Sequence, residues 1–523
     1  MRGAIAAGHP VTANVGARVL ADGGNAVDAC IAAAFASWVT ESPLTGPGAG
    51  GFMLVHRARE RSASLLDFFV AVPGLGRVGE VRRRPADMEA VDLDFAPESS
   101  QVFRIGAASC AVPGAPAGLE AAHRAFGTLA WRDLIAPAVE LARGGVVLTR
   151  SQAYLHALLD VILRHTPQGR RVYGENGRLN AGERLVMSDL AETLELLAAR
   201  GAADFYRGEL AAAIVEHLDA AGGRVTRQDL AHYRVIRRRP VRISFLGHEF
   251  ASNPPPSTGG ILIAYALRLV DLLGPGGRPG SAEAMSRLVE IMREQSLVRG
   301  GPFRRELYRG GLARRLLDSS AVAAAACRVE AGVRVTAEVA GARGTTHISV
   351  VDGKGNAASL TATTGAGSGV VVPGTGIHVN NMLGEFDLAE TGAIPRPGRR
   401  MTSMMAPSLV LRGERPRLVV GSAGSLRLRG AILQVILNAV AHGLPLAEAI
   451  ERSRIHVEGA DVHCEGGADA DEVLALERMG YEVVRWRRRN LFFGGAAAVE
   501  LLADGSLHAA GDSRRGGAGV VVE

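Results

Sequence analysis

Between residues 346 and 362 the chain alternates, breaks on a glycine turn, and alternates again. Ile348 and Val350 stand against Ser349 and Val351, Asp352-Gly353-Lys354-Gly355-Asn356 interrupts, and Ala358, Leu360 and Ala362 resume the two-residue period. This is the pattern of a β-hairpin with one buried face. Elsewhere the periods switch. Residues 8–24 carry Val15, Ala17, Val19 and Leu20 ahead of Gly23-Gly24, which predicts a helix. Residues 26–39 are almost wholly apolar, which predicts a helix buried all round. Short apolar runs at 52–55 and 64–72 predict buried strands. Residues 115–145 and 186–220 read as helical, with Asp189 and Thr226 placed like N-caps, and 234–252 as two strands around Gly247. A rigid corner at Pro254-Pro255-Pro256 leads into an apolar helix over 261–273. Residues 300–343, rich in Arg and Ala, read as irregular. A strand is expected over 374–381, and two more at 409–411 and 418–420 around a turn. Gly421 to Ser425 opens a helix over 426–442, and a last strand pair surrounds Asp504-Gly505. The fold class is therefore α/β (α+β), with strands and helices mixed along the whole chain.

Composition narrows the chemistry. The 66 glycines suit the tight turns and close backbone approaches of a layered α/β protein. Lys354 is the single lysine, and it sits in the hairpin turn, which excludes a buried lysine base. The net charge of +6 rests on arginine. Runs such as Arg82-Arg83-Arg84, Arg237-Arg238-Arg239 and Arg487-Arg488-Arg489 are dispersed and lack interleaved aromatics, so they read as solvated faces rather than a nucleic-acid surface. Cys30, Cys110, Cys327 and Cys464 show no metal spacing and read as small buried residues. Neither a metal nor a cofactor is expected. No apolar run reaches membrane-spanning length.

One short stretch changes the picture. Gly344-Thr345-Thr346-His347 stands at the head of the hairpin's first strand. A threonine there ordinarily packs as a β-branched residue. If the chain is cut before Thr345, however, that residue carries both a hydroxyl nucleophile and a free α-amine. The amine, with an ordinary pKa of about 8, can accept the hydroxyl proton. Gly344 adds almost no bulk at the bond to be broken.

The surrounding motifs resemble those of the γ-glutamyltransferase (γ-glutamyltranspeptidase) family of N-terminal-nucleophile hydrolases. They are Gly23-Gly24-Asn25-Ala26-Val27-Asp28-Ala29, Gly48-Ala49-Gly50-Gly51-Phe52-Met53-Leu54-Val55, Val112-Pro113-Gly114, Pro254-Pro255-Pro256-Ser257-Thr258-Gly259-Gly260, Gly344-Thr345-Thr346-His347, Asn380-Asn381 and Gly421-Ser422-Ala423-Gly424, in one order along nearly the whole chain. The resemblance implies a four-layer αββα sandwich. It also implies a precursor that cuts itself between Gly344 and Thr345 into a large chain, 1–344, and a small chain, 345–523, which stay associated. The implied reaction is two-step acyl transfer on a small amide or acyl substrate. Thr345 is its nucleophile, Thr363 the threonine that bonds to it, and Gly424 and Ser425 the oxyanion N–H donors. Many bacterial relatives are exported, so Met1-Arg2-Gly3 running straight into the family's start suggests a cytoplasmic enzyme.

The implied glutamyl site is where this sequence departs. Phe69 stands where the family has an arginine for the substrate α-carboxylate, in Asp67-Phe68-Phe69-Val70. Asn381 is retained, but the residue after it is Met382, and Glu385 replaces an aspartate. Of two adjacent serines, Ser403 remains and the other is Met404. Losing a bidentate Arg–carboxylate pair removes several kcal/mol of recognition, and Phe69, Met382 and Met404 describe an apolar wall instead. The expected activity is that of a hydrolase or acyltransferase turned away from γ-glutamyl substrates, in the manner of acylases and natural-product enzymes. The alternatives are a carbon–carbon hydrolase that releases an oxalyl unit, as in 4-alkylproline biosynthesis, an ordinary glutathione-cleaving enzyme, and an unprocessed binding protein.

Overall fold

The computed structural model describes residues 1–77, 88–96, 99–333, 344–385, 396–424 and 427–523. Two antiparallel sheets lie face to face between helical layers. Their strands are β1 (Gly3–Ala7), β2 (Gly50–Arg57), β3 (Ser62–Phe68), β4 (Ile236–Arg238), β5 (Val241–Phe245), β6 (His248–Ser252), β7 (Thr346–Asp352), β8 (Ala357–Thr363), β9 (Ser408–Arg412), β10 (Arg415–Ala423), β11 (Gly495–Leu501), β12 (Leu507–Gly511) and β13 (Ala518–Val522). Among the described residues the first sheet runs β13-β1-β7-β8-β2-β3-β4 and the second β12-β11-β10-β9-β6-β5. Helices α1 (Pro10–Ala21) and α2 (Ala26–Thr40) cover the outer face of the first sheet. Helices α3 (Gly259–Leu273) and α4 (Arg427–Ile436) cover the second. This is the αββα sandwich.

The strand period sorts side chains between the layers. In β1, Ile5 and Ala7 join the core under α1 and α2, whereas Ala4 and Ala6 join the core towards the second sheet. In β2, Met53 and Val55 face one way and Phe52 and Leu54 the other. The helix α2 is buried along its whole length, as its almost wholly apolar sequence requires. Asn25 caps it, accepting from the N–H groups of Val27 and Asp28, while the Asp28 carboxylate accepts from Asn25 N–H at 3.0 Å.

Polar side chains also cross the inter-sheet space. The His347 imidazole, fully buried, bonds to Thr361 Oγ1 at 2.8 Å and Ser349 Oγ at 2.9 Å. Ser349 in turn donates to the Ala497 carbonyl of the second sheet at 3.0 Å. Burial pushes His347 down to about 3, so the ring is neutral. Gly421 makes room for it: a Cβ there would stand 2.2 Å from His347 Cε1.

Several sequence expectations change in the structure. Residues 3–7 hold the strand β1, and the first helix starts only at Pro10, capped by His9 Nδ1 accepting from Val11 N–H at 3.1 Å. The segment 115–145 divides at Gly127 into helices Ala115–Phe126 and Trp131–Gly144. The segment 186–220 forms three helices, and Met187, not Asp189, stands at the first cap. Thr226 does cap its helix, with Asp229 closing the reciprocal bond. Residues 234–252 give three strands, since Arg239-Pro240 breaks the first. The region expected to be irregular contains helices Phe303–Arg309, Leu312–Leu317 and Ser319–Ala331. Their buried positions (Phe303, Leu307, Leu312, Leu316, Val322, Ala325, Val329) keep helical spacing beneath the arginines that obscured it. Residues 334–343, the rest of that region, lie outside the described residues. The strand expected over 374–381 shrinks to Ile377–His378, because Asn380 and Asn381 bond outward to other loops.

Gly421→Ala is expected to drive a methyl into the His347 ring. Overpacking of this kind costs about 1–3 kcal/mol, so the variant's melting temperature should fall. An unchanged melting temperature would show that the two sheets can part there.

Candidate active site

Thr345 precedes β7, which lies between β1 and β8 in the first sheet. The β7–β8 register sets Thr346 opposite Ala362, and so brings Gly344-Thr345 beside the end of β8. There Thr363 donates its hydroxyl proton to the Gly344 carbonyl and accepts from Gly365 N–H at 2.8 Å. The carbonyl of the Gly344–Thr345 peptide bond is thus polarised by a fixed donor. Gly344 has to be glycine on steric grounds: a Cβ would stand 2.5 Å from the Gly365 carbonyl oxygen and 2.8 Å from Leu44 Cδ2. Thr345 is 2% exposed.

The loop after Thr363 gathers two more of the predicted residues. Gly365 has φ +75°, and a Cβ on it would come 2.0 Å from Asn381 Oδ1 and 2.5 Å from Glu385 Oε1. Asn381 accepts from Ala366 N–H at 3.0 Å through its side chain, and its own N–H donates to the Thr364 carbonyl at 3.1 Å. Gly344, Thr345, Thr363, Asn381 and Glu385 therefore form one constellation. The neighbouring Asn380 is a stitch between loops. Its amide group donates to the carbonyls of Gly48 and Ala111 and accepts from Ala111 and Met382 N–H.

The other predicted residues lie deeper. Phe69 is fully buried and its ring stacks on Phe52 at 5.6 Å between centroids. Phe69, Met382 and Met404 belong to one buried apolar cluster. The Met404 sulfur accepts from the Thr258 hydroxyl at 3.1 Å, and Ser403 offers its carbonyl to Thr258 N–H at 2.8 Å and to the Ser257 hydroxyl at 2.9 Å. The Ser403 hydroxyl accepts from Met405 N–H at 3.0 Å. Residues 403–405 are thereby strapped to Ser257-Thr258, just after the Pro254-Pro255-Pro256 corner. Gly424 follows β10 with φ +123°, and a Cβ on it would stand 2.9 Å from Gly494 Cα. Ser425 lies outside the described residues.

A small cavity of about 30 Å³ opens on Thr345, bordered by Glu41, Leu44, Gln152, His347, Ala423 and Arg515 among others. Phe69, Asn381, Met382, Glu385, Ser403 and Met404 do not line it. Sequence reasoning missed Glu41, the C-cap of α2. Its buried carboxylate accepts from the Thr346 hydroxyl at 2.6 Å and the Thr12 hydroxyl at 3.2 Å. Burial pushes this carboxyl up to about 7, against the pull of those two hydroxyls and of Arg515. An acid between an almost wholly apolar helix and a glycine loop was the available signal. Among the described residues, no three His, Cys, Asp or Glu side chains are grouped to hold a metal ion, and no helix is long and apolar enough to cross a membrane.

A profile of the γ-glutamyltranspeptidase family matches residues 12–522. The chain belongs to that family. It is 32% identical to the acylase ACY 1 proenzyme of Pseudomonas sp. (strain SE83), over 100% of this chain and 94% of that one. It is 30% identical to the glutathione hydrolase proenzyme of Escherichia coli (strain K12), over 98% and 90%. Its fold superposes on cephalosporin acylase from Bacillus halodurans with a TM-score of 0.85 at 25% identity, covering 100% of this chain and 96% of the other. Membership of the γ-glutamyltranspeptidase family agrees with the αββα layers and accounts for the order of the glycine motifs.

Phe69→Ala is expected to act as a core truncation within this family fold. With its ring stacked on Phe52 and wholly buried, removal should cost about 3–5 kcal/mol, read as an early melt. A variant that melts normally yet loses turnover would instead assign the ring to substrate.

Proposed function

We propose that this protein is a self-processing hydrolase or acyltransferase whose nucleophile is the hydroxyl of Thr345, freed as a new N-terminus by cleavage after Gly344. The observation that carries this reading is the hydrogen bond from the Thr363 hydroxyl to the Gly344 carbonyl. That carbonyl is the one whose oxygen gains charge when Thr345 attacks. A donor already aimed at it is what such an attack needs. The proenzyme names of the Pseudomonas acylase and the E. coli glutathione hydrolase support the same reading.

In the mature protein, Thr345 Oγ adds to the substrate carbonyl while the Thr345 α-amine takes its proton. The Gly424 and Ser425 N–H groups hold the oxyanion, and the leaving amine departs with the proton returned. Water or an acceptor amine then releases the acyl group by the same steps in reverse order. The acyl group is an apolar or otherwise non-glutamyl one. The sequence supports this by lacking, at Phe69, Met382 and Met404, the charged and hydroxyl side chains that a glutamyl head needs, and the acylase relatives support it by name.

Purified protein should separate on a denaturing gel into pieces of 344 and 179 residues, the division of the 523-residue chain at Gly344. Thr345→Ala should remain whole, and cutting of that variant at the same bond would refute the nucleophile.

The acyl pocket is tested separately. Processed enzyme should release little p-nitroaniline from γ-glutamyl-p-nitroanilide. Turnover at about 1–1000 per second, ordinary for enzymes, would restore the glutathione-cleaving reading.

A further inference from the structure

Self-cleavage poses a proton problem that the mature reaction does not. Before the cut, the nitrogen of Thr345 is an amide and cannot accept the proton of its own hydroxyl. Some other group has to. The described residues around Thr345 offer few bases. His347 is neutral and its two ring nitrogens are bonded to Thr361 and Ser349. The Thr363 hydroxyl is spent on the Gly344 carbonyl. Lys354, the single lysine, is in the hairpin turn. On the cavity wall Asp512 is paired with Arg454 and Arg514, and burial holds His156 down to about 4, which leaves Glu41 as the base beside Thr345.

We propose, resting on the self-cleavage reading, that the Glu41 carboxylate accepts the Thr345 hydroxyl proton during the first cut, through a water held in the cavity the two residues share. The cavity volume of about 30 Å³ holds a water, which needs roughly 10–15 Å³. Glu41 is built into place rather than left at a surface. Gly8 passes so close that a Cβ there would stand 2.3 Å from Glu41 Oε2, and one carboxylate oxygen is tied to Thr346, the residue after the nucleophile. A carboxylate has about four lone-pair sites, so bonds to Thr346 and Thr12 leave it able to receive a water. The position is costly for an acid, since it is buried at the negative end of α2.

The step balances. The hydroxyl proton passes to water as a water proton passes to Glu41, and Thr345 Oγ bonds to the Gly344 carbonyl carbon. The carbon–nitrogen bond then breaks, and the Glu41 proton returns through the water to the Thr345 nitrogen. This leaves an ester between Gly344 and Thr345 Oγ. Water hydrolyses the ester, giving a Gly344 carboxylate and a free Thr345 hydroxyl and amine.

The groups facing Glu41 leave its titration separable. Thr12 comes from α1 and Thr40 from its own helix, with Thr346 and His347 from β7. Gln152 and His156 come from the helix Arg150–Leu158, and Asp512, Arg514 and Arg515 from the C-terminal loop. Burial holds His156, and likewise His9 beside Gln152, down near about 4. Burial opposes ionisation of Asp512, but Arg454 and Arg514 keep its carboxyl below the usual range. Burial brings Arg515 down only to about 10. Glu41, by contrast, is pushed up to about 7. Its base form is the ionised one, so cutting should slow as pH falls through that value and level off above it.

The test follows precursor made in a cell-free reaction at about pH 5.5 and then shifted to a series of values up to about pH 8.5. The unaltered chain should cut faster by nearly tenfold per unit below about pH 7, the slope for one ionising base, and reach a plateau above. Glu41→Gln should melt within a few degrees of it, cut about 10²–10⁴-fold more slowly, the usual worth of a general base, and lose the slope. Glu41→Asp should recover part of both rate and slope. A Glu41→Gln chain cut at the unaltered rate overturns the proposal while leaving Thr345 in its role. A flat profile for the unaltered chain between about pH 5.5 and 8.5 also overturns it, and decides the matter even if Glu41→Gln fails to fold. An unaltered chain that never separates overturns the self-cleavage reading and this one together, with Thr345→Ala as the reference for an uncut band.

Discussion

The pairing of β7 between β1 and β8 is the constraint on which the rest of the molecule depends. β1 comes from the first residues of the chain and pairs along its whole length with β7, from Gly3 opposite Asp352 to Ala7 opposite Ile348. β8 pairs in turn with β2, and β13 closes the other edge against β1. Strands from before and after Gly344 are therefore interleaved within one sheet. No line drawn at residue 344 separates two cores, because both hydrophobic clusters contain residues from each side of it. Breaking that one peptide bond removes a covalent link but no strand pair. A chain with the two parts folded separately would leave β7 with one unpaired edge and β1 with two.

The same pairing explains why the space between the sheets tolerates polar groups. His347, Ser349 and Thr361 are all buried, and each unpaired would carry a desolvation cost of about 1–3 kcal/mol. They satisfy one another and reach Ala497 of the second sheet. The bond from Ser349 to a backbone carbonyl fixes how β7 lies over β11, a specificity that interchangeable alanines and valines would not provide. Glycine at 421 lets the imidazole sit between the layers.

Much of this was legible in the sequence. The hairpin around Asp352 to Asn356, the wholly buried helix after Asn25 and the Thr226 cap all follow from period and capping chemistry, and the structure agrees with them. β1 was hidden because Gly3-Ala4-Ile5-Ala6-Ala7 has no alternation: both faces of a central strand are covered, so every position is apolar. The helices between 303 and 331 were hidden by arginines and by Gly310-Gly311, which split one apolar face into short pieces. At the site, the residues joined by local sequence were readable, namely Gly344, Thr345 and the strand that carries Thr363. Glu41 was not, since its partners Thr12 and Thr346 are distant in the chain and only the closed fold unites them.

The strand end at Asp67 shows how a buried side chain can change without unsettling the scaffold. Asp67 is buried, and such an acid needs partners. It has them in Arg238 Nε at 2.7 Å and Arg400 Nε at 3.2 Å, and it also accepts from Phe69 N–H at 3.0 Å. Arg400 is held from its other side by Tyr233, whose hydroxyl donates to the Phe69 carbonyl at 2.7 Å. The acid, two arginines and a tyrosine thus fix the backbone of Phe69 through its N–H and carbonyl alone. Nothing in that network uses the side chain at 69, so an arginine or a phenylalanine can occupy the position over the same backbone. A ring there stacks on Phe52 and seals the apolar cluster, whereas a guanidinium would require a carboxylate to face it. The scaffold's charges are satisfied locally, and the side chain at 69 takes no part in satisfying them.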